Sequence, residues 1–448
     1  MCSQHVGQQP ATPAGSDAGA TATTPSRRVL IAGSIGNFVE WFDIGIYGTL
    51  SSVIAGNFFA DGDRASALLS TFAIFAVGFA IRPVGALYFG PLADRVGRNR
   101  VLALTVLITS LSTFAIGVLP TYATVGALAP LLLVLVRLVQ GFAAGGETSS
   151  AVSLLFEYAP RNRRGYYTSY GAALGFVAFV CGAGAALVLS LAFGDDQMAS
   201  YAWRIPFLIA LPLGLAGLYL RLKLDDTPEF RRMEEAGETP KTPLRETLRT
   251  SGRPMLILAG VIVLKGVAHW TLQTFMVSYL SDTMHFSQTA SFAASTVCMG
   301  AVAVLIPCAG LLSDRVGRKP LLIGGAIGLI ALAWPCLFLM SFDNAPLAVA
   351  AMVILGLPIA AYDGAANASM AELFPARIRT GAIAIPYNIS VGLFGGTAPY
   401  IATWLVTSTG NDLAPSWYLM TAGVLTLITV VLGVRETAGP RAEKVVAG

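Results

Sequence analysis

Charge is scarce in this sequence. Asp, Glu, Lys and Arg make up 12% of its 448 residues, about half of the ~25% carried by soluble domains. Hydrophobic residues make up 55%, and the mean hydropathy is +0.67. So few charges cannot clothe a water-facing surface of this size. The apolar/polar alternation of a membrane barrel is also missing. Instead, long apolar runs recur, each able to cross ~30 Å of hydrocarbon as a helix. Only closed backbone hydrogen bonding survives in lipid, so these runs are read as transmembrane helices. The five cysteines (Cys2, Cys181, Cys298, Cys308, Cys336) contain no CxxC pair. They read as small buried side chains rather than disulfides or metal ligands. No G-x-x-x-x-G-K-[ST], HExxH or GxSxG string occurs, so no ATP site, metal site or catalytic residue is expected.

The runs place twelve spans at 29–55, 66–92, 101–118, 128–157, 165–192, 205–223, 254–281, 289–312, 320–341, 346–372, 378–407 and 416–434. Residues 1–26, rich in Ala, Thr, Ser, Gly and Pro, hold no apolar run and read as a disordered tail rather than a signal peptide. The expected organisation is this tail, a bundle of six spans over 27–223, and a polar linker over 224–253. A second bundle follows over 254–437, with a short tail over 438–448. Of 29 Lys and Arg, only Arg64 and Arg204 fall in outer loops and only Arg82, Arg137 and Lys265 in spans. The rest lie in the tails and in the loops after even-numbered spans, while the other loops carry Asp61, Asp63, Asp195, Asp196, Asp282, Asp343 and Asp412. Positive charge stays inside, so both termini are expected in the cytoplasm of a bacterial inner membrane. The net charge of +4 therefore reflects topology and not a nucleic-acid partner.

The chain repeats itself. Gly90, Asp94, Arg95, Gly97 and Arg98 follow span 2, and Gly310, Asp314, Arg315, Gly317 and Arg318 follow span 8, ~220 positions later. Glu157, Pro160, Arg164 and Gly165 match Glu372, Pro375, Arg379 and Gly381, and Asp226-Thr227 match Glu436-Thr437. Three landmarks in one order indicate a parallel duplication, with halves related by an axis along the membrane normal. The repeated loop reads as a gate. Its first Gly lets helices approach, and its Asp can meet a helix N-terminus or an Arg of a neighbouring span.

The doubled loop resembles the major facilitator superfamily, and Arg137-Leu138-Val139-Gln140-Gly141 resembles a second motif of that family. Gly36-Asn37-Phe38-Val39-Glu40-Trp41-Phe42-Asp43, Ile81-Arg82-Pro83-Val84-Gly85, Trp203-Arg204-Ile205-Pro206-Phe207 and Tyr387-Asn388-Ile389-Ser390 are similar to its metabolite:proton symporter branch. That branch includes proline/betaine, 2-oxoglutarate, citrate and shikimate transporters. The resemblance runs from about residue 29 to 437. It implies an all-α membrane protein with twelve helices in two six-helix bundles, a monomer, with spans 1, 4, 7 and 10 lining a central cavity. It also implies import coupled to protons, the proton being the only cofactor-like partner.

Ionisable side chains cluster in those four spans, where each costs ~2.5–3.5 kcal/mol unless it faces a cavity or a partner. In span 1, Asn37, Glu40, Asp43 and Tyr47 fall within ~120° of helix arc. Two carboxylates one turn apart repel, so one of them can take up and release a proton. Arg137 and Gln140 share a face of span 4. Arg137 either grips a solute carboxylate through two parallel hydrogen bonds or serves Glu40 or Asp43 as counter-ion. Lys265, His269 and Gln273 form a stripe on span 7. Lys265 and Asp363 of span 10 lie at matching depths of ~15 Å, which predicts an ion pair between them. Glu40, Asp43 and Asp363 are the candidate proton carriers. Asn37, Tyr47, Arg137, Gln140, Lys265, His269, Gln273 and Asn388 are candidate solute ligands. Arg82 is assigned to the gate or the solute and Arg204 to an outer gate. The cavity cations favour a small organic acid as solute, and the cavity carboxylates leave a zwitterion such as proline or glycine betaine as the alternative. A transporter-like nutrient sensor would need an added output domain, and an intramembrane enzyme would need a catalytic cluster.

Overall fold

The computed structural model describes residues 27–439 except 61, 97, 146–151, 154, 158, 223–243 and 376–377. Side chains of 27–37, 90–91, 93–99, 220–222 and 244–250 also lie outside the described set. Nine helices among the described residues are long and apolar enough to cross a membrane. Arg27–Thr49 with Ser51–Phe58, Leu128–Ala143 and Arg204–Leu222 complete the twelve spans expected from the sequence. The proposed N-terminal tail and most of the linker fall outside the described residues, as do 440–448. The end of the linker, from Leu244, is already helix and bends at Ser251 into span 7.

The helices break where the chemistry requires it. Span 2 divides into Arg64–Ala80 and Arg82–Val96 around Ile81, because Pro83 cannot donate to the carbonyl one turn back. Span 7 continues past Trp270 through a π turn, Thr271–Phe275, and span 11 carries another at Val391–Gly395. A few helix starts are capped by polar side chains. Asp63 accepts from the N–H groups of Ala65 and Ser66 at 3.1 and 3.2 Å, and Asn344 caps span 10 through Leu347 at 3.0 Å. Of the four cysteines described, Cys298 and Cys336 are buried as expected. Cys181 and Cys308 are exposed on the outer faces of their helices, where lipid accepts a small apolar side chain.

The up-and-down order of the helices puts the basic loops at one end of the bundle and Asp63, Asp195, Asp282, Asp343 and Asp412 at the other. Each end is tied across the two halves. At the basic end, Asp314 accepts from the backbone N–H groups of Gly165 and Tyr166 at 2.8 and 2.9 Å. Arg379 donates to Glu157 at 3.1 Å. A β-carbon at Gly165 would lie 2.8 Å from the Gly310 carbonyl oxygen, so this contact of spans 5 and 8 depends on small residues. At the acidic end, Arg64 pairs with Asp282 at 2.6 Å, Ser52 donates to Asp282, and Ser190 meets Thr289 at 2.7 Å. The described contacts thus tie the two halves together at both ends.

Candidate solute site and gates

Inside the first half, a cavity of about 10 Å³ is lined by Glu40, Ile44, Phe79, Arg82, Arg137 and Gln140, among others. That is room for about one water. Glu40 meets Arg82 at 3.3 Å, both buried. Arg82 of span 2 is thus an ion-pair partner of Glu40. Arg82 also lies 4.2 Å above the Phe79 ring. Arg137 donates to the neutral amide of Gln140 at 2.5 Å, and Gln140 donates onward to Thr113 at 2.7 Å. The guanidinium sits 4.1 Å over the Tyr47 ring and 5.2 Å over Phe75. Tyr47 is turned away from the cavity chemistry by its own bond, donating to the Thr71 carbonyl at 3.0 Å. Asp43 is buried beside this group. The Asn37 side chain lies outside the described residues.

The second half holds a compact ionic cluster. Lys265 Nζ is 2.8 Å from Asp363 Oδ1, the pair expected from matching depth. The other carboxylate oxygen is 3.3 Å from His269 Nδ1. Lys265 also reaches Asn367 Oδ1 at 3.4 Å, and Asn367 donates to the Thr168 carbonyl of the opposite half at 3.1 Å. Gln273, one turn beyond His269, is buried with neither amide atom bonded.

The gate residues divide into two sets. Asp314 caps span 5 and holds Arg318 at 2.8 Å, while Arg318 also reaches Ser313 at 2.6 Å and Glu372 at 3.5 Å. Gly317 has φ +114°, a conformation that favours glycine, and the loop it bends brings Glu436 onto the start of span 9. Glu436 accepts from the N–H groups of Arg318 and Lys319 at 2.8 and 3.1 Å, and Thr437 bonds Glu372. The three repeated landmarks of the second half thus form one network. Arg315 lies in the last turn of span 8. Gly90 falls within the helix Arg82–Val96, while the side chains of Asp94, Arg95 and Arg98, and the position Gly97, lie outside the described set.

Two expectations are revised. Arg204 donates to the carbonyls of Gly117 and Leu119 at 2.8 Å each, both within its own half. It braces spans 3 and 6, because the last carbonyls of a helix lack intrahelical donors. Among the described residues these hydrogen bonds stay within the first half. Asn388 donates to Gly145 of span 4 at 3.1 Å and to Ala384 at 2.9 Å. It ties the halves together, with its donor hydrogens already committed to backbone.

Sequence reasoning missed an aromatic cluster at the centre. Trp270 of span 7 stacks on Trp41 of span 1, centroids 5.6 Å apart and planes 16° from parallel. Phe79 and Phe75 of span 2 meet Trp270 at 4.8 and 5.6 Å, and Phe179 of span 5 meets it at 6.1 Å. His269 adjoins Trp41 at 5.6 Å and Phe176 at 4.7 Å. The signal was present: Trp41 sits between Glu40 and Asp43, and Trp270 follows His269.

Comparison with known proteins agrees with this architecture. The model of the Major Facilitator Superfamily matches residues 33–357 and 288–447. A proline/betaine transporter of Salmonella typhimurium is 38% identical, over 92% of this chain and 84% of the relative. A glycine betaine/proline/ectoine/pipecolic acid transporter of Dickeya dadantii is 37% identical over the same shares. A crystal structure of a D-xylose–proton symporter superposes with a TM-score of 0.73 at 17% identity, covering 92% of this chain and 98% of that one. The chain is a multi-pass membrane transporter and belongs to the Major Facilitator Superfamily.

Proposed function

We propose that the protein is a proton-coupled symporter that imports a zwitterionic solute of the proline and glycine betaine class by alternating access. The observation that carries this is the mixed sign of the buried cavity, where Arg82 and Arg137 share a lining with Glu40. A di- or tricarboxylate entering there would meet Glu40 as well as the two cations. A zwitterion offers a carboxylate to the guanidiniums and a cationic nitrogen to the rings and carboxylates. The solutes in the relatives' names support this choice over an organic acid.

The geometry suggests a coupling scheme. A solute carboxylate that reaches Arg82 or Arg137 competes with Glu40 for its partner. A buried carboxylate left without a counter-ion is costly, so Glu40 and Asp43, one turn apart, take up one proton as a coupled pair and neither suffices alone. Asp363 holds Lys265 and His269 at once and serves as a fixed counter-ion. The basic end faces the cytoplasm of a bacterial plasma membrane, with both termini inside, and the transporter works as a monomer. Arg379–Glu157 and Asp314 close the cytoplasmic side, and Arg64–Asp282 closes the outer side.

The test is a competition screen in proteoliposomes, with glycine betaine and proline set against succinate, 2-oxoglutarate and citrate. Labelled glycine betaine should be accumulated and displaced by proline but not by the dicarboxylates. Accumulation of a dicarboxylate with no betaine uptake would overturn the reading.

A further inference from the structure

The aromatic cluster has features that a plain packing seam does not need. Its two indoles come from opposite halves, and a glycine backs each of them. A β-carbon at Gly175 would lie 3.4 Å from Trp41, and one at Gly395 would lie 2.5 Å from Trp270. Span 7 widens into a π turn immediately after Trp270, and span 11 does so up to Gly395. Such insertions recur at functional positions. One polar atom is buried within the cluster without a hydrogen-bond partner, His269 Nε2. Buried polar groups are normally hydrogen-bonded, so this atom is placed for something that arrives. The cation-lined cavity adjoins the rings through Phe79, which carries Arg82 on one contact and Trp270 on another.

From this we infer that Trp41 and Trp270, with Phe79 and Phe75, form a cage for the alkylated ammonium group of the solute, with one indole supplied by each half. The inference rests on the zwitterion reading and deepens it. Ring faces attract a cation within ~6 Å of the centroid, and they offer it no hydrogen-bond acceptor. They therefore favour a nitrogen whose N–H groups are replaced by methyls or by a ring over a primary ammonium, which would lose its hydrogen bonds to water. The indoles now stand 5.6 Å apart and fill the space themselves. A cation held by both needs them no more than ~12 Å apart, an opening of a few ångström that tilting one half supplies. The solute nitrogen then bridges the halves, which links binding to closure.

The test uses the full-length protein in proteoliposomes and the series glycine, N-methylglycine, N,N-dimethylglycine and glycine betaine as competitors of labelled glycine betaine. Apparent affinity should rise along the series in the wild type. Tetramethylammonium, which has no carboxylate, should compete weakly. Trp270→Leu should flatten the series, lowering betaine affinity ~10-fold while glycine changes little, and should abolish competition by tetramethylammonium. Trp270→Phe should restore part of the slope. Should the variants fail to fold, the wild-type series stands as the test. A flat series with betaine still transported overturns the cage and leaves the symporter reading intact. Variants that weaken all four solutes equally also overturn the cage, leaving a packing seam. No competition by any member, with uptake of dicarboxylates, overturns the symporter reading and the cage together.

Discussion

Removing the Asp363 carboxylate is the perturbation whose outcome the structure constrains most tightly. In Asp363→Asn, Lys265 keeps a buried ammonium, 8% exposed at the side chain, with Asn367 Oδ1 at 3.4 Å as its remaining partner. Breaking a buried pair by deleting one member costs ~3–5 kcal/mol. Lys265→Met should cost less, towards the lower end of that range, because Asp363 retains His269 at 3.3 Å. The double variant Lys265→Met/Asp363→Asn buries no charge at this pair. Replacing a buried pair by neutral groups is often neutral or stabilising, so the double variant should approach wild type. The assay is thermal unfolding of the purified protein in detergent, read as a double-mutant cycle. The predicted order of midpoints is wild type near the double variant, then Lys265→Met, then Asp363→Asn. Charge reversal at both positions should also recover part of the loss. Additive losses would refute the reasoning, since they would mean that each group is satisfied independently.

Three further outcomes follow from other contacts. Glu157→Gln weakens the tie to Arg379; Glu157 is 42% exposed at the side chain, so the pair is worth only ~0.2–1 kcal/mol. A cysteine at buried Thr168 should gain no more than about fivefold reactivity to a maleimide applied from the basic side, and a fall in reactivity would contradict the gate assignment. Gly395→Ala places a β-carbon 2.5 Å from Trp270 and should cost ~1–3 kcal/mol with a shift in tryptophan fluorescence. Gly381→Ala, with open space around it, should be silent in the same spectrum. Hydrogen bonds from Ser66 and Ala65 hold the Asp63 carboxyl below its usual 3.8. Its capping contribution is then complete above that ordinary value and is lost only as pH falls through the lower folded-state value. Asp63→Asn should therefore leave the pH profile of uptake unchanged between about pH 5 and 8, while Asp43→Asn flattens it.

The fold was legible because lipid leaves the chain few choices. Long apolar runs must be helices, and the repeated Asp94 and Asp314 loops announce the two halves. The Lys265–Asp363 pair was legible for a similar reason: two opposite charges at one depth in a bilayer need each other. The contact of Arg82 with Glu40 was not, since it turns on how spans 1 and 2 are rotated against one another. Arg204 was misread because a guanidinium near a helix end meets free carbonyls as readily as a gate. The rings of Trp41 and Trp270 adjoin the polar stripes of spans 1 and 7 in sequence, but their meeting with Phe79 turns on how spans 1, 2 and 7 pack together, which no stripe shows. Asn388 looked like a solute ligand because the backbone acceptor it finds, Gly145, belongs to the other half.

Proton-coupled uptake of a zwitterion tests the account most directly. Purified protein in proteoliposomes with an alkaline interior should accumulate labelled glycine betaine above equilibrium, and a protonophore should abolish the accumulation. Asp43→Asn should lose this gradient-driven accumulation yet keep exchange of external label for internal betaine. Accumulation that persists with the protonophore, or that Asp43→Asn leaves intact, would contradict coupling through the span 1 carboxylates.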